Sequence, residues 1–242
     1  MTVGSIALVK RSFFNLGTQM SVSVPTTNRS TTSRRWGMVI DLKRCVGCQT
    51  CTRACNLAHN VPEGQEWIKV SKIQDNPDTG EYNFPRPCMN CQNAPCVKVC
   101  PVGATFYDEE GVVLIDNELC IGCRYCMAAC PYGARYFNWG DPNQASDQAI
   151  AESTPEFANT HLKGVVEKCD FCAHLARDGT LPSCVAACPN SVLYYGDLAE
   201  DAVSNPNETI SFSETLKRKH GYRFWEELGT EPRVYYLPPR RD

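Results

Sequence analysis

All sixteen cysteines of this chain fall into four groups of four: Cys45, Cys48, Cys51 and Cys55; Cys88, Cys91, Cys96 and Cys100; Cys120, Cys123, Cys126 and Cys130; Cys169, Cys172, Cys184 and Cys188. The first and third groups read C-x2-C-x2-C-x3-C, the second stretches one gap to four residues, and the fourth stretches it to eleven. Three groups are closed by a proline, at Pro101, Pro131 and Pro189, whereas Cys55 is followed by Asn56. Thiolates are soft ligands, and each group can supply the four that one [4Fe–4S] cluster takes. The count implies four clusters.

Two plainer readings fit less well. Disulfide frameworks staple short secreted domains that lack a core. This chain has 242 residues, 43% of them hydrophobic, and can bury a core without staples. Structural zinc also takes four thiolates, but its sites join two C-x2-4-C knuckles across a long spacer. Three cysteines at x2-x2 spacing, a fourth three residues on and then a proline follow the iron–sulfur pattern instead.

The segments between the groups must position these thiolates. Trp36 to Asp41 and Val165 to Glu167 read as strands leading into the first and fourth groups, and Ala134 to Trp139 and Val192 to Tyr195 follow the third and fourth. Ala104 to Tyr107, a turn at Asp108 to Gly111, and Val112 to Asp116 read as a hairpin. Each C-x3-C-P segment reads as a short helix ended near its proline. The unit of strand, cysteine loop, helix and strand recurs four times. Two units make one ferredoxin-like α+β domain with two clusters, so four make two such domains. In two-cluster ferredoxins the fourth cysteine of each run ligates the other cluster, which locks the units in pairs. Pairing is either adjacent, one with two and three with four, or nested, one with four and two with three; spacing leaves both open.

Beyond the fourth group, Ser213 to Gly229 reads as an amphipathic helix carrying Leu216, Phe224, Trp225 and Leu228 and ended by Gly229. Tyr235, Tyr236 and Leu237, beside Pro238 and Pro239, read as an extended ending that either drapes over a partner or packs on the chain's own core. At the other end, Ser21 to Ser33 holds eight Ser or Thr in thirteen positions, which reads as a flexible, disordered tail over 1–35. Lys10-Arg11-Ser12-Phe13-Phe14 is similar to the start of a twin-arginine export signal, but no apolar stretch or small-residue cleavage site follows. The segment therefore reads as a disordered extension or a mis-set start codon.

Several function classes drop out. A net charge of −3 gives no footprint for nucleic acid. The chain holds no apolar run of 18 residues and so does not read as spanning a membrane. No Gly-rich nucleotide loop, HExxH or GxSxG motif appears, so no catalytic residues are expected. His59, His161, His174 and His220 are scattered and read as surface or packing residues. Lys43, Arg44, Arg53, Lys98, Arg124 and Lys168 stand close to cysteines; such cations raise a cluster's potential, but each alone reads as a solvated charge. Tyr125, Tyr132 and Phe171 read as packing that keeps the sites dry.

The stretches Arg44 to Cys51, Arg86 to Cys91, Ala94 to Pro101, Cys120 to Gly133, and Lys168 to Cys172 followed by Cys184 and Cys188-Pro189 resemble one family. It is the four-cluster iron–sulfur (beta) subunit of the dimethyl-sulfoxide-reductase superfamily of molybdopterin oxidoreductases. The resemblance covers about Trp36 to Leu237, including the ending from Glu227, and is specific to the subunit class rather than to a substrate.

The resemblance implies nested pairing. One cluster would use Cys45, Cys48, Cys51 and Cys188, and its neighbour Cys169, Cys172, Cys184 and Cys55. The other domain would use Cys88, Cys91, Cys96 and Cys130, then Cys120, Cys123, Cys126 and Cys100. An inner ferredoxin-like domain over 84–140 would then be inserted in an outer one built of 36–83 and 141–242, the latter with a C-terminal extension. Relatives of the nitrate-reductase type carry tryptophan at the position of Cys123 and a [3Fe–4S] cluster there; with cysteine present, four [4Fe–4S] clusters are expected.

The resemblance further implies a chain that is no enzyme by itself. It would be an electron-transfer subunit between a molybdenum or tungsten pterin catalytic subunit and a quinone-linked integral membrane anchor, with no direct membrane span. Membrane association would be through a partner, and the cytoplasmic side is favoured for want of an export signal. The alternative is a free soluble polyferredoxin, and a zinc-stabilised scaffold without redox function is a third reading.

Overall fold

The computed structural model describes residues 34–74, 80–142 and 161–239; the expected tail over 1–35 lies almost wholly outside them. The chain opens on strand β1 (Trp36–Asp41), a 3-10 turn at Leu42–Arg44 and helix α1 (Thr50–His59). With Asn56 in place of a proline, α1 runs on past Cys55 and ends at Asn60 in the left-handed conformation. A hairpin that the residue pattern did not announce follows, β2 (Lys69–Ile73) and β3 (Tyr82–Arg86).

The second and third groups give helix α2 (Pro95–Lys98), strands β4 (Thr105–Tyr107) and β5 (Val113–Ile115), helix α3 (Tyr125–Ala129) and strand β6 (Tyr136–Phe137). Pro95 starts α2, where its missing N–H costs nothing. The expected hairpin is β4 and β5, paired from Thr105↔Ile115 to Tyr107↔Val113. Strand β7 (Val166–Glu167) pairs with β6 and leads into helices α4 (Ala173–Arg177) and α5 (Ser183–Ala186) and strand β8 (Leu193–Asp197). A Cβ at Gly122, where φ is +67°, would strike the carbonyl oxygen of Gly164, so this cysteine loop closes on the β7 approach only with glycine there.

The rest is β9 (Ala202–Ser204), β10 (Thr209–Ser211), α6 (Phe212–Lys219), β11 (Tyr222–Arg223) and β12 (Val234–Leu237). The long helix expected over 213–229 is thus two pieces. Helix α6 stops at His220, which is left-handed, and the N–H of Gly221 returns to Leu216 O at 2.8 Å. Gly221 presses on the Leu216 side chain so closely that a Cβ would collide with it. Gly229, φ +64°, closes only a 3-10 turn at Glu226–Leu228.

The main sheet has the order β10-β9-β8-β1-β12-β11. Strand β1 pairs antiparallel with β8 and parallel with β12, in register Met38↔Val234 through Asp41↔Leu237. Side chains alternate across it. Met38, Ile40, Leu193, Tyr195, Val234 and Tyr236 face the core that holds the cysteines. Val39, Tyr194, Val203, Tyr235 and Leu237 face a second core closed by Phe212 and Leu216. The two readings of the C-terminal ending are thereby decided within this chain. Tyr235, Tyr236 and Leu237 form an inner strand, 0–8% exposed, and are not a free arm. Upstream of β12 the same segment straps the second cysteine group, with Gln92 N–H donating to Glu231 O, Asn93 N–H to Thr230 O, and Arg233 N–H to Met89 O.

Candidate metal centres

Short helices meet in two pairs, α1 on α5 and α2 on α3. Each pair carries cysteines from distant parts of the sequence to one place. Cys45, Cys48 and Cys51 line a cavity with Cys188, walled by Val70, Pro85, Val192 and Leu193. Cys88, Cys91 and Cys96 line another with Cys130, under Met89, Val113 and Tyr132. Cys120, Cys123 and Cys126 line a third with Cys100, beside Ala104, Ile115 and Val166. The remaining four, Cys55, Cys169, Cys172 and Cys184, face one another as charge neighbours deep in the protein.

Burial raises the pKa of several of these thiols. It pushes Cys51 up to about 11 and Cys91 and Cys169 up to about 12, and raises Cys55, Cys172 and Cys184 well above the ordinary thiol value. A thiol so hard to ionise near neutral pH becomes a thiolate when a metal binds its sulfur and displaces the proton, which is released to solvent. Cys48 differs: it is exposed, and the Thr50 hydroxyl and backbone N–H lower its pKa.

The four sulfur sites are coupled in series. Cys51 is close enough to Cys55 and Cys184 for their charges to interact; Cys169 stands in the same relation to Cys88, and Cys126 to Cys96. Both ends of the series reach the surface. Cys48 and Val46 (66% exposed) mark one; Ile121 (63%), Tyr125 (62%) and Trp139 (70%) mark the other.

His220 is exposed, as expected, but the other three histidines are not scattered. His59 Nε2 lies 3.2 Å from Cys172 Sγ, in donor position toward a thiolate. The His59 ring packs on Trp67 and His174, with centroids at 5.2 and 6.1 Å. His161 brackets the group, its Nε2 donating to His59 O at 2.7 Å while Nδ1 meets the Glu167 carboxylate at 2.8 Å. Burial alone would lower the pKa of His161; Glu167 outweighs it and holds it above the ordinary value. Tyr132 and Phe171 are buried as expected, but Tyr125 is not and keeps no site dry.

Of the cations read as solvated, Lys168 is 4% exposed and its Nζ donates to Cys169 O at 2.8 Å. Arg44 reaches Ser191 O and Tyr194 Oη. The cation that sequence reasoning missed is Arg135, 4% exposed and lining the cavity of Cys88, Cys91, Cys96 and Cys130. Its place in the apolar lead from Cys130-Pro131 into β6 was the available signal.

The residues fit iron–sulfur clusters. The donor sets are all sulfur, and buried polar atoms without a hydrogen-bond partner among the described residues gather beside them: Arg135 Nη2, His59 Nδ1, His174 Nδ1, Trp67 Nε1 and Tyr195 Oη. Tyr195 is influenced most, after burial, by Cys172 and Cys169. The stranded N–H and O–H donors among them, on Arg135, Trp67 and Tyr195, are what an anionic cluster satisfies.

Comparison with known proteins agrees. Family profiles described as 4Fe-4S dicluster domains match residues 80–146 and 119–193, and one described as a 4Fe-4S binding domain matches 36–57. The fold is accordingly two ferredoxin-like dicluster domains of mixed helix and strand. The chain is 41% identical to a putative iron-sulfur subunit of dimethyl sulfoxide reductase from Halobacterium salinarum, over 84% of this chain and 78% of the relative. It is 42% identical to a selenate reductase subunit from Mesobacillus selenatarsenatis, over 84% and 72%. It is 39% identical to the iron-sulfur cluster-binding subunit of menaquinone reductase from Nitratidesulfovibrio vulgaris, over 85% and 89%.

Proposed function

Because this chain belongs to the family of iron–sulfur subunits of dimethyl sulfoxide, selenate, arsenate and tetrathionate reductases, we propose that it carries electrons between a molybdenum or tungsten pterin catalytic subunit and a quinone-linked membrane anchor. It is the electron-transfer part of an oxidoreductase complex and not its catalyst. When bound, [4Fe–4S] clusters supply one-electron redox chemistry. The chain's own residues hold them, keep water from the interior sites and set the field around them.

The ligand sets we propose follow the sulfur sites: Cys45, Cys48, Cys51 with Cys188; Cys55 with Cys169, Cys172, Cys184; Cys88, Cys91, Cys96 with Cys130; Cys100 with Cys120, Cys123, Cys126. On this reading an inner domain of about 84–140 interrupts an outer one of 36–83 and 141–242. The packing of α1 on α5 and of α2 on α3 supports it. The observation that carries the functional reading is the series of sulfur sites with both ends at the surface, as a conductor between two partners requires. Among the described residues no helix is long and apolar enough to cross a membrane, so membrane association would come through the anchor. The quinone link is supported by the menaquinone reductase relative.

Purification from native cells in mild detergent tests the proposal. The chain is expected to co-elute with a molybdenum- or tungsten-containing subunit and an apolar one. Recovery of the chain alone, exchanging electrons with several enzymes, favours the free polyferredoxin instead.

A further inference from the structure

Arg135 stands at the junction of two sulfur sites. It lines the cavity of Cys88, Cys91, Cys96 and Cys130, and its charge also faces Cys126 of the next site. Nη1 donates to Thr105 Oγ1 at 3.1 Å, while Nη2 is buried without a hydrogen-bond partner among the described residues. None of the ion pairs formed among those residues includes Arg135. A guanidinium out of water and without a counter-charge is strongly unfavourable, and a fold keeps one only where something anionic repays it. Here burial works against the charge, and the sulfurs of Cys96, Cys126 and Cys88 outweigh it.

We propose that Arg135 is the shared counter-cation of the two inner clusters, those of Cys88, Cys91, Cys96, Cys130 and of Cys100, Cys120, Cys123, Cys126, and that it sets both their reduction potentials. The inference rests on the cluster reading above. A cluster held by four thiolates is anionic, and reduction adds one more negative charge; a fixed cation beside it stabilises the reduced form more and raises the potential. Arg suits the task, because its planar guanidinium presents five donors in a fixed fork and can face two sites at once. One residue facing two sites moves both potentials in the same direction. The two sites also repel each other directly, so an electron at one makes the second reduction harder than the first.

The two remaining sites provide the internal control. One of them, that of Cys55, Cys169, Cys172 and Cys184, has its own polar neighbours, His59 beside Cys172 and Lys168 beside Cys169. A change at Arg135 is expected to leave them alone.

The experiment is an EPR-monitored redox titration of the anaerobically purified full chain in wild-type, Arg135→Met and Arg135→Lys forms, with iron counted in each. Methionine keeps length and apolar stem but removes the charge. At a fixed potential, Arg135→Met is expected to lower the ratio of reduced to oxidised cluster about tenfold at both inner sites, equivalent to about 59 mV for one electron. Arg135→Lys is expected to restore most of it. If Arg135→Met loses the inner clusters while Arg135→Lys keeps them, the charge is needed even for assembly and the proposal stands. Four intact clusters with unshifted potentials overturn it. So does a rise at the inner sites, the sign of water entering a loosened core, and so does loss of the inner clusters in both variants, which marks a purely structural role. A wild-type chain without iron refutes the cluster reading itself, an outcome distinct from all of these.

Discussion

Cys188→Ser is expected to remove the cluster of Cys45, Cys48 and Cys51, far away in sequence, and to spare the cluster of its near neighbour Cys184. Cys188 lines the cavity of the first group, whereas Cys184 faces Cys169 and Cys55. The reciprocal variant, Cys55→Ser, is expected to remove the cluster of Cys169, Cys172 and Cys184 and to spare that of Cys45, Cys48 and Cys51. A serine hydroxyl is a harder and poorer ligand for iron than a thiolate. Each variant should therefore fall from about sixteen irons toward about twelve, with one EPR signal missing. Low-temperature EPR of the two proteins checks this. If Cys188→Ser destroys the cluster of Cys169, Cys172 and Cys184, each run closes its own site and the exchange of ligands is wrong.

Deleting residues 231–242 is expected to destroy the fold and the clusters together, not merely to loosen a partner. The deletion removes β12 from between β1 and β11, and with it the pairs from Met38↔Val234 to Asp41↔Leu237. Tyr236 is 0% exposed, stacks on Phe84 at 4.5 Å and donates from its hydroxyl to Pro85 O at 3.1 Å. Truncating one such buried aromatic to alanine costs about 3–5 kcal/mol. A domain has only about 5–15 kcal/mol in hand. The strap over the second cysteine group, Glu231 O to Gln92 N–H and Arg233 N–H to Met89 O, goes as well. Iron content and thermal unfolding of the truncated chain and of Tyr236→Ala measure the effect. A truncated chain with full iron and an unchanged transition contradicts the placement of β12.

These two cases mark where the sequence was legible. Thiolate spacing is a local pattern, so every cysteine group, its helix and the β4–β5 hairpin around Asp108–Gly111 could be read directly. The partner of β1 could not. Val234 to Leu237 is buried on both faces, so it shows no alternation of polar and apolar residues, and its register is set by a strand nearly two hundred residues away. The expected helix over 213–229 failed because its apolar spacing continues past His220 and Gly221, where backbone conformation and the contact with Leu216 end it. The convergence of His59, His161 and His174 and the burial of Arg135 and Lys168 are tertiary facts, and a residue type says nothing of what the fold brings beside it.

The central claim is that four groups of thiolates hold four [4Fe–4S] clusters. Its most direct test is quantification of iron, acid-labile sulfide and zinc in the anaerobically purified chain. The account predicts about sixteen irons and about sixteen sulfides per chain, with no stoichiometric zinc. Stoichiometric zinc without labile sulfide would contradict it.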